Sequence, residues 1–216
     1  MPRPPVPLPF RFDEPLPFPP GESSYRVRGL YYDRLIAYTK NYVGNLEVVL
    51  RSIEHAGVRA FAGQRFSWTG WYDVLPAAFI CASFARLIGQ EYESMVREHT
   101  RLGALEVIPS AFRFAFRIPG PSAFQGQTAQ IVALMTDFAK VRIEYATTTH
   151  SDGWTGGVPV YLATHWANTI SGFFQALIEL RGAVNVRARY TDIVKEAGSG
   201  PFETVAIRHE FDWELR

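Results

Sequence analysis

The clearest hydrophobic pattern in the chain runs from Val158 to Tyr190 and changes its period partway. Leu162, Trp166, Ile170, Phe173, Leu177 and Leu180 recur at helical spacing and form one apolar stripe. Thr164, His165, Asn168, Ser171, Gln175 and Glu179 fall between them. Pro159 suits a first helical turn, and Gly182 stands where a left-handed cap ends a helix. Beyond it Val184, Val186, Ala188 and Tyr190 alternate with polar residues, which predicts a half-buried strand.

The same reading extends to the rest of the chain. A short strand is predicted at Tyr25 to Val27, then helices from Leu30 to Val43 and from Leu46 to His55, with Asn45 as cap and Gly57 as terminator. Residues 58–72 carry no period and are aromatic. Asp73 caps a helix from Val74 to Ile88, with Pro76 in its first turn and Gly89 at its end. Another helix runs from Glu91 to about Leu102, where Gly103 is placed to break or kink it. Residues 104–118 fit two patterns. Phe112, Phe114, Phe116 and Ile118 alternate as in a strand, while Leu105, Ile108, Phe112 and Phe116 share a helical face. After the break at Pro119-Gly120-Pro121 come a helix from Thr128 to Phe138, a strand from Val141 to Thr147 and a loop from Thr148 to Gly157. Past the organising helix and its strand, a last strand runs from Val205 to Trp213. Helices gathered in front and strands behind predict an α+β fold. In it an N-terminal helical lobe packs on a small antiparallel sheet, with strand–helix–strand–strand order at the C-terminus.

Composition changes this picture at one end. Residues 1–24 are proline-rich and extended, because prolines from Pro2 to Pro20 exclude helix and sheet interior. Two readings stand: a disordered tail, or, because Leu8, Phe10, Phe12, Leu16 and Phe18 are too apolar for a solvated linker, an ordered arm that lies on its own domain, on a neighbouring subunit or on another protein. Residues 25–216 are expected to form a single α+β domain. A net charge of +1 gives no reason to expect nucleic acid. The absence of a long apolar run and of a leader-like start leads to the expectation of no membrane span and a cytoplasmic location.

The layout, with Arg28-Gly29-Leu30, Trp71-Tyr72-Asp73, Leu102-Gly103, Gly172, Arg181-Gly182 and Phe211-Asp212-Trp213 in that order, resembles a known superfamily. It contains the H-NOX haem domains, the 4-vinyl-reductase-type ligand-binding domain and the TRAPP vesicle-tethering subunits. Within it the chain is similar to an uncharacterised domain family of about this length, expanded in myxobacteria. The resemblance implies four or more helices before the sheet, and so helix over 104–118. It also implies self-association through helical faces, so a homo-oligomer is expected. The H-NOX pattern needs a Tyr-x-Ser-x-Arg run on the first sheet strand to hold haem propionates. Here Tyr145-Ala146-Thr147-Thr148-Thr149 has Thr149 in place of the arginine. His99 lies somewhat before the expected ligand region. On these grounds no cofactor is expected, haem included.

The remaining chemistry is sparse. The five histidines show no metal-ligand spacing, so no metal is expected. Cys81, the one cysteine, sits in an apolar helix and reads as an inert thiol. Ser151 to Gly157 is a Gly-rich turn before a helix, without the lysine of a phosphate loop. No catalytic residues are assigned. Trp71, Tyr72, Tyr145 and His165 are the candidate ligand-binding residues. The function expected is a non-enzymatic small-molecule-binding or regulatory module with an aromatic-lined cavity for an apolar ligand. The alternatives are a ligand-free adaptor resembling the TRAPP subunits, with a protein partner on the proline-rich arm, and an enzyme acting on an aromatic or polycyclic substrate.

Overall fold

The structure is a computed structural model that describes residues 16–111, 121–196 and 203–215, with the backbone alone for 121–126. A short strand, β1 (Arg26–Arg28), leads into α1 (Gly29–Val43), α2 (Leu46–Ser52) and α3 (Ala56–Ala62). Strand β2 (Trp71–Asp73) returns to pair with β1, and α4 (Leu75–Ile88), α5 (Tyr92–Ala111) and α6 (Pro121–Met135) complete the front lobe. Strands β3 (Lys140–Ala146) and β4 (His150–Pro159) follow, then α7 (Ala163–Glu179), β5 (Ala183–Lys195) and β6 (Thr204–Leu215). The four C-terminal strands form one antiparallel sheet in the order β3-β4-β6-β5. The fold is α+β, as the sequence predicts.

Local chemistry accounts for most boundaries. Gly44 and Gly89 end α1 and α4 with left-handed backbone. Asn45 accepts from the Glu47 amide to start α2. The Glu91 carboxylate accepts from the amides of Glu93 and Ser94 at the start of α5. Asp73 does more than cap α4. Its Oδ1 accepts from the Leu75 amide and, at 2.5 Å, from the Ser23 hydroxyl; its Oδ2 accepts from the amides of Gly21 and Ser23. These bonds fasten the end of the proline-rich segment to the domain, where Leu16 and Phe18 pack against the core. The first fifteen residues of the expected arm lie outside the described residues.

Several elements differ from the periodicity reading. Val158 and Pro159 close β4 instead of opening the organising helix, which begins at Ala163, and the end of the stretch without period is strand β2. Gly57 does not end the second helix. That helix stops at Ser52, and the His55 ring accepts from the Val58 amide to begin α3. Gly103 does not break α5, which continues to Ala111 and settles the first part of 104–118 as helix; Phe112 to Ile118 lie outside the described residues. The segment read as a loop from Thr148 to Gly157 is largely strand β4, with Ser151, Gly153 and Thr155 facing inward. Gly156 and Gly157 form a bulge against β6, and Gly153 stands opposite a bulge in β3. A Cβ at Gly153 or Gly157 would overlap the backbone oxygen of Arg142 or Phe138. With the strand in place, this segment offers no helix N-terminus to an anion.

Helix α7 is buried on two sides. One side meets β5 and β6, and the other meets α5 at a crossing close enough for only a glycine, Gly172, to face the Arg97 carbonyl. This explains why the polar residues between the stripe positions are buried as well. Asn168 donates to Glu93 and to the Thr164 carbonyl and accepts from Arg97. Ser171 donates to the Ala167 carbonyl.

Candidate functional site

The front of α7 carries a cluster of buried polar rings. His165 is fully buried, with Tyr31 of α1 at 2.9 Å from Nε2 and Tyr92 of α5 at 2.8 Å from Nδ1. Burial pushes the His165 ring down to about 3, so it is neutral, and pushes both phenols well above their ordinary range. A neutral imidazole has one N–H and one lone pair, so one phenol donates to the ring and the other accepts from it.

His99 of α5 lies beside this group, edge-on to Tyr31, with ring centroids 5.8 Å apart. It is also held near 3, first by burial and then by His165. Its Nε2 is 3.4 Å from the Thr100 hydroxyl oxygen and 3.8 Å from Cys81 Sγ. The Thr100 hydroxyl donates to the Val96 carbonyl at 2.8 Å, so its oxygen accepts when the His99 proton is on Nε2, whereas the Cys81 thiol donates to Nε2 when the proton is on Nδ1. In either tautomer Nδ1 has no partner among the described residues, and in the first it keeps a lone pair. Burial pushes the Cys81 thiol far up, so it is not a nucleophile.

Two apolar clefts adjoin the cluster. One, of about 60 Å³, is walled by His99 with Tyr31, Thr100, Val107, Met135 and Phe173. The other, of about 50 Å³, shares Tyr31, Thr100, Met135 and Phe173 with it and reaches Trp166. Among the described residues, His99 in the wall of the first cleft and Trp166 and Thr169 in the wall of the second each have an unpartnered polar atom, Nδ1, Nε1 and Oγ1, and the rest of the lining named here is rings and aliphatic groups.

Of the four residues singled out from the sequence, only His165 belongs to this cluster. Trp71 and Tyr72 lie on β2. Trp71 is stacked under Arg28, with the guanidinium 3.8 Å from the ring centroid; Tyr72 is edge-on to Phe66 and accepts from the Ser67 amide. Tyr145 is 57% exposed on β3, beside His150. Tyr31, Tyr92 and His99 were not singled out as ligand-binding residues. Tyr31 stands one turn before Leu35 on a buried face, which is a packing signal, and spacing alone gives nothing that joins it to residue 165.

The buried histidines set a pH dependence. His99, His165 and His209 all have folded-state values lowered to about 3 from 6.5. The unfolded chain binds their protons first, so their contribution is complete above about 6.5 and is lost progressively as pH falls toward about 3. Urea midpoints measured across that range are expected to fall with decreasing pH. A His165→Gln variant is expected to be less stable at neutral pH and to show a shallower dependence, by up to one proton.

No protein-family model matches the chain, and no curated protein matches it. Solved structures do. An oxygen-binding H-NOX domain related to soluble guanylate cyclases, in its oxygen complex, superposes with a TM-score of 0.61 at 11% identity, over 87% of this chain and 95% of that one. A Cs H-NOX variant carrying an unnatural amino acid gives 0.63 at 12% identity, over 88% and 99%. A structure concerned with modulating haem redox potential through porphyrin distortion gives 0.60 at 11%, over 86% and 99%. At these identities the likeness shows an H-NOX-like fold.

The expectation that no cofactor is bound is corrected by these neighbours, which include haem proteins of the same fold. The argument from Thr149 fails for a physical reason as well. Thr149 sits in the turn between β3 and β4 and lines neither cleft, so its lack of charge says nothing about a group held at His99. The donor chemistry present suits haem, since an imidazole lone pair in an apolar setting is what a haem iron takes. His99 is the residue that would hold it. The two clefts, about 60 and 50 Å³, are smaller than the ~300–1,000 Å³ of common ligand pockets, so neither holds a porphyrin as it stands.

Proposed function

We propose that this chain is a ligand-binding module whose ligand lies beside His99, between α1, α5, α6 and α7. The observation that carries the reading is the buried imidazole, neutral and with an unpartnered Nδ1, in the wall of an apolar cleft. An unpaired buried polar atom costs about 1–3 kcal/mol, and a ligand that meets it removes that cost. The ligand class is an apolar body presenting either a hydrogen-bond donor or a metal to that nitrogen. A bound haem would supply an iron centre there. The H-NOX-like fold supports the reading, since one neighbour is described as an oxygen complex.

Binding fits the site better than catalysis does. A general acid or base works near the pH of its surroundings, whereas both histidines are held near 3 and both phenols far above neutrality.

Titration of the purified protein with hemin, followed by absorbance, and with pyrrole, followed by calorimetry, tests this. Pyrrole is a small apolar ring with one N–H donor. Saturable binding of either probe, weakened about tenfold or more in His99→Ala, is the expected result. Binding of neither, or binding that His99→Ala leaves unchanged, overturns the proposal.

A further inference from the structure

The wall of the second cleft contains a polar atom that can act in only one sense. Trp166 of α7 is 3% exposed, and its Nε1 has no partner among the described residues. An indole N–H donates and never accepts. Buried tryptophans ordinarily find an acceptor for that proton, and a phenylalanine would fill an apolar position without bringing a donor into it. Trp166, Thr169, Ile170 and Phe173 all line this cleft, so one face of α7 is turned to it. The Thr169 hydroxyl on that face is likewise unpartnered, but a hydroxyl serves as donor or acceptor. Trp166 therefore sets the polarity of this wall, and what it lacks is an acceptor.

We infer that the ligand is two-ended: an uncharged carbonyl-type oxygen accepts from Trp166 Nε1–H at one end, and the other end meets His99 Nδ1. This rests on the binding site proposed above and adds to it the chemistry of the second end. Tyr31 joins the two ends. Its ring centroid is 5.8 Å from that of His99 and 6.5 Å from that of Trp166. Its hydroxyl is bonded to His165, so what it offers the clefts is ring surface. Thr100, Met135 and Phe173 line both clefts with it, and the two clefts are parts of one largely apolar surface.

The lining also selects the kind of oxygen. Among the described residues no charged side chain lines the second cleft. A carboxylate placed there would lose its hydration without gaining a cation, whereas an aldehyde, ketone or amide oxygen needs only the donor that Trp166 provides. A hydrocarbon of the same size would leave both nitrogens unmet. The arrangement matches a small unsaturated ring with a short carbonyl substituent, the ring lying over the shared residues.

Calorimetry on the full chain with two probes tests this. One is pyrrole-3-carboxaldehyde; the other is 3-ethylpyrrole, which has the same heavy-atom skeleton without the acceptor. The aldehyde is expected to bind about five- to tenfold more tightly. That ratio is expected to fall to about one in Trp166→Phe, and pyrrole-3-carboxylate is expected to show no gain. Thermal melts show whether Trp166→Phe is folded. Nitrogen–proton NMR of the wild type needs no substitution: the Trp166 indole N–H resonance is expected to move downfield with the aldehyde and not with 3-ethylpyrrole. An aldehyde that binds no more tightly than 3-ethylpyrrole, or an indole resonance that both probes move alike, overturns the two-ended ligand while leaving the site at His99 intact. Failure of hemin, pyrrole and both probes to bind overturns the site, and the two-ended ligand with it.

Discussion

Gly172→Val is expected to destabilise the protein by about 4 kcal/mol or more, enough to leave a domain of ordinary stability partly unfolded. Any Cβ at this position overlaps the Arg97 carbonyl oxygen and comes within 3.2 Å of the Arg101 amide. Both are backbone atoms of α5, so no rotamer change relieves the clash, and α5 and α7 must separate. Separation also breaks the bonds from Arg97 and Glu93 to Asn168 and the ion pair of Arg101 with Glu179. Tyr92 and His165, on opposite sides of that crossing, lose their 2.8 Å contact. Equilibrium urea unfolding monitored by tryptophan fluorescence measures the loss. Gly172→Ala is expected to show a smaller shift in the same direction. A wild-type midpoint for Gly172→Val would contradict the packing described for these two helices.

Asp73→Ala is expected to cost about 3–5 kcal/mol. The carboxylate is buried and accepts four hydrogen bonds, from Gly21, Leu75 and twice from Ser23. Hydrogen bonds to a charged group contribute about 1.5–3 kcal/mol each when measured singly, and less than their sum when shared. Alanine leaves the Ser23 and Leu75 donors buried without this acceptor, removes the cap of α4 and releases the segment that carries Leu16 and Phe18. Two measurements separate these effects. Chemical denaturation gives the total, and amide hydrogen exchange at Gly21 and Ser23 reports the release of the segment. Asp73→Asn is expected to recover part of the loss, because an amide oxygen still accepts while the charge is gone.

The sequence carried much of the architecture and little of the site, for related reasons. Helices α1, α4 and α7 and strands β5 and β6 follow from spacing and caps, because each has one strongly apolar face and a glycine, proline or acidic residue at an end. Strand β4 does not, because its inward positions are Ser151, Gly153 and Thr155, and a bulged strand of small polar residues has the composition of a turn. Helix α3 was hidden because its cap is a histidine. The site depends on long-range contact. His165 meets Tyr31 across 134 residues and Tyr92 across 73, and no local period encodes those pairings. What the sequence does contain is a histidine next to Trp166 within an apolar stripe, which drew attention to His165. His99 offered less, since its meaning lies in an atom left without a partner.

The proposed site stands or falls on His99 Nδ1. Nitrogen NMR of ring-labelled histidine, recorded with and without the bound probe, observes it directly. His99 is expected to be neutral at pH 7 with the proton on Nε2, and its bare Nδ1 resonance to move when pyrrole or hemin binds. A proton found on Nδ1, or an Nδ1 resonance unmoved at saturation, would contradict it.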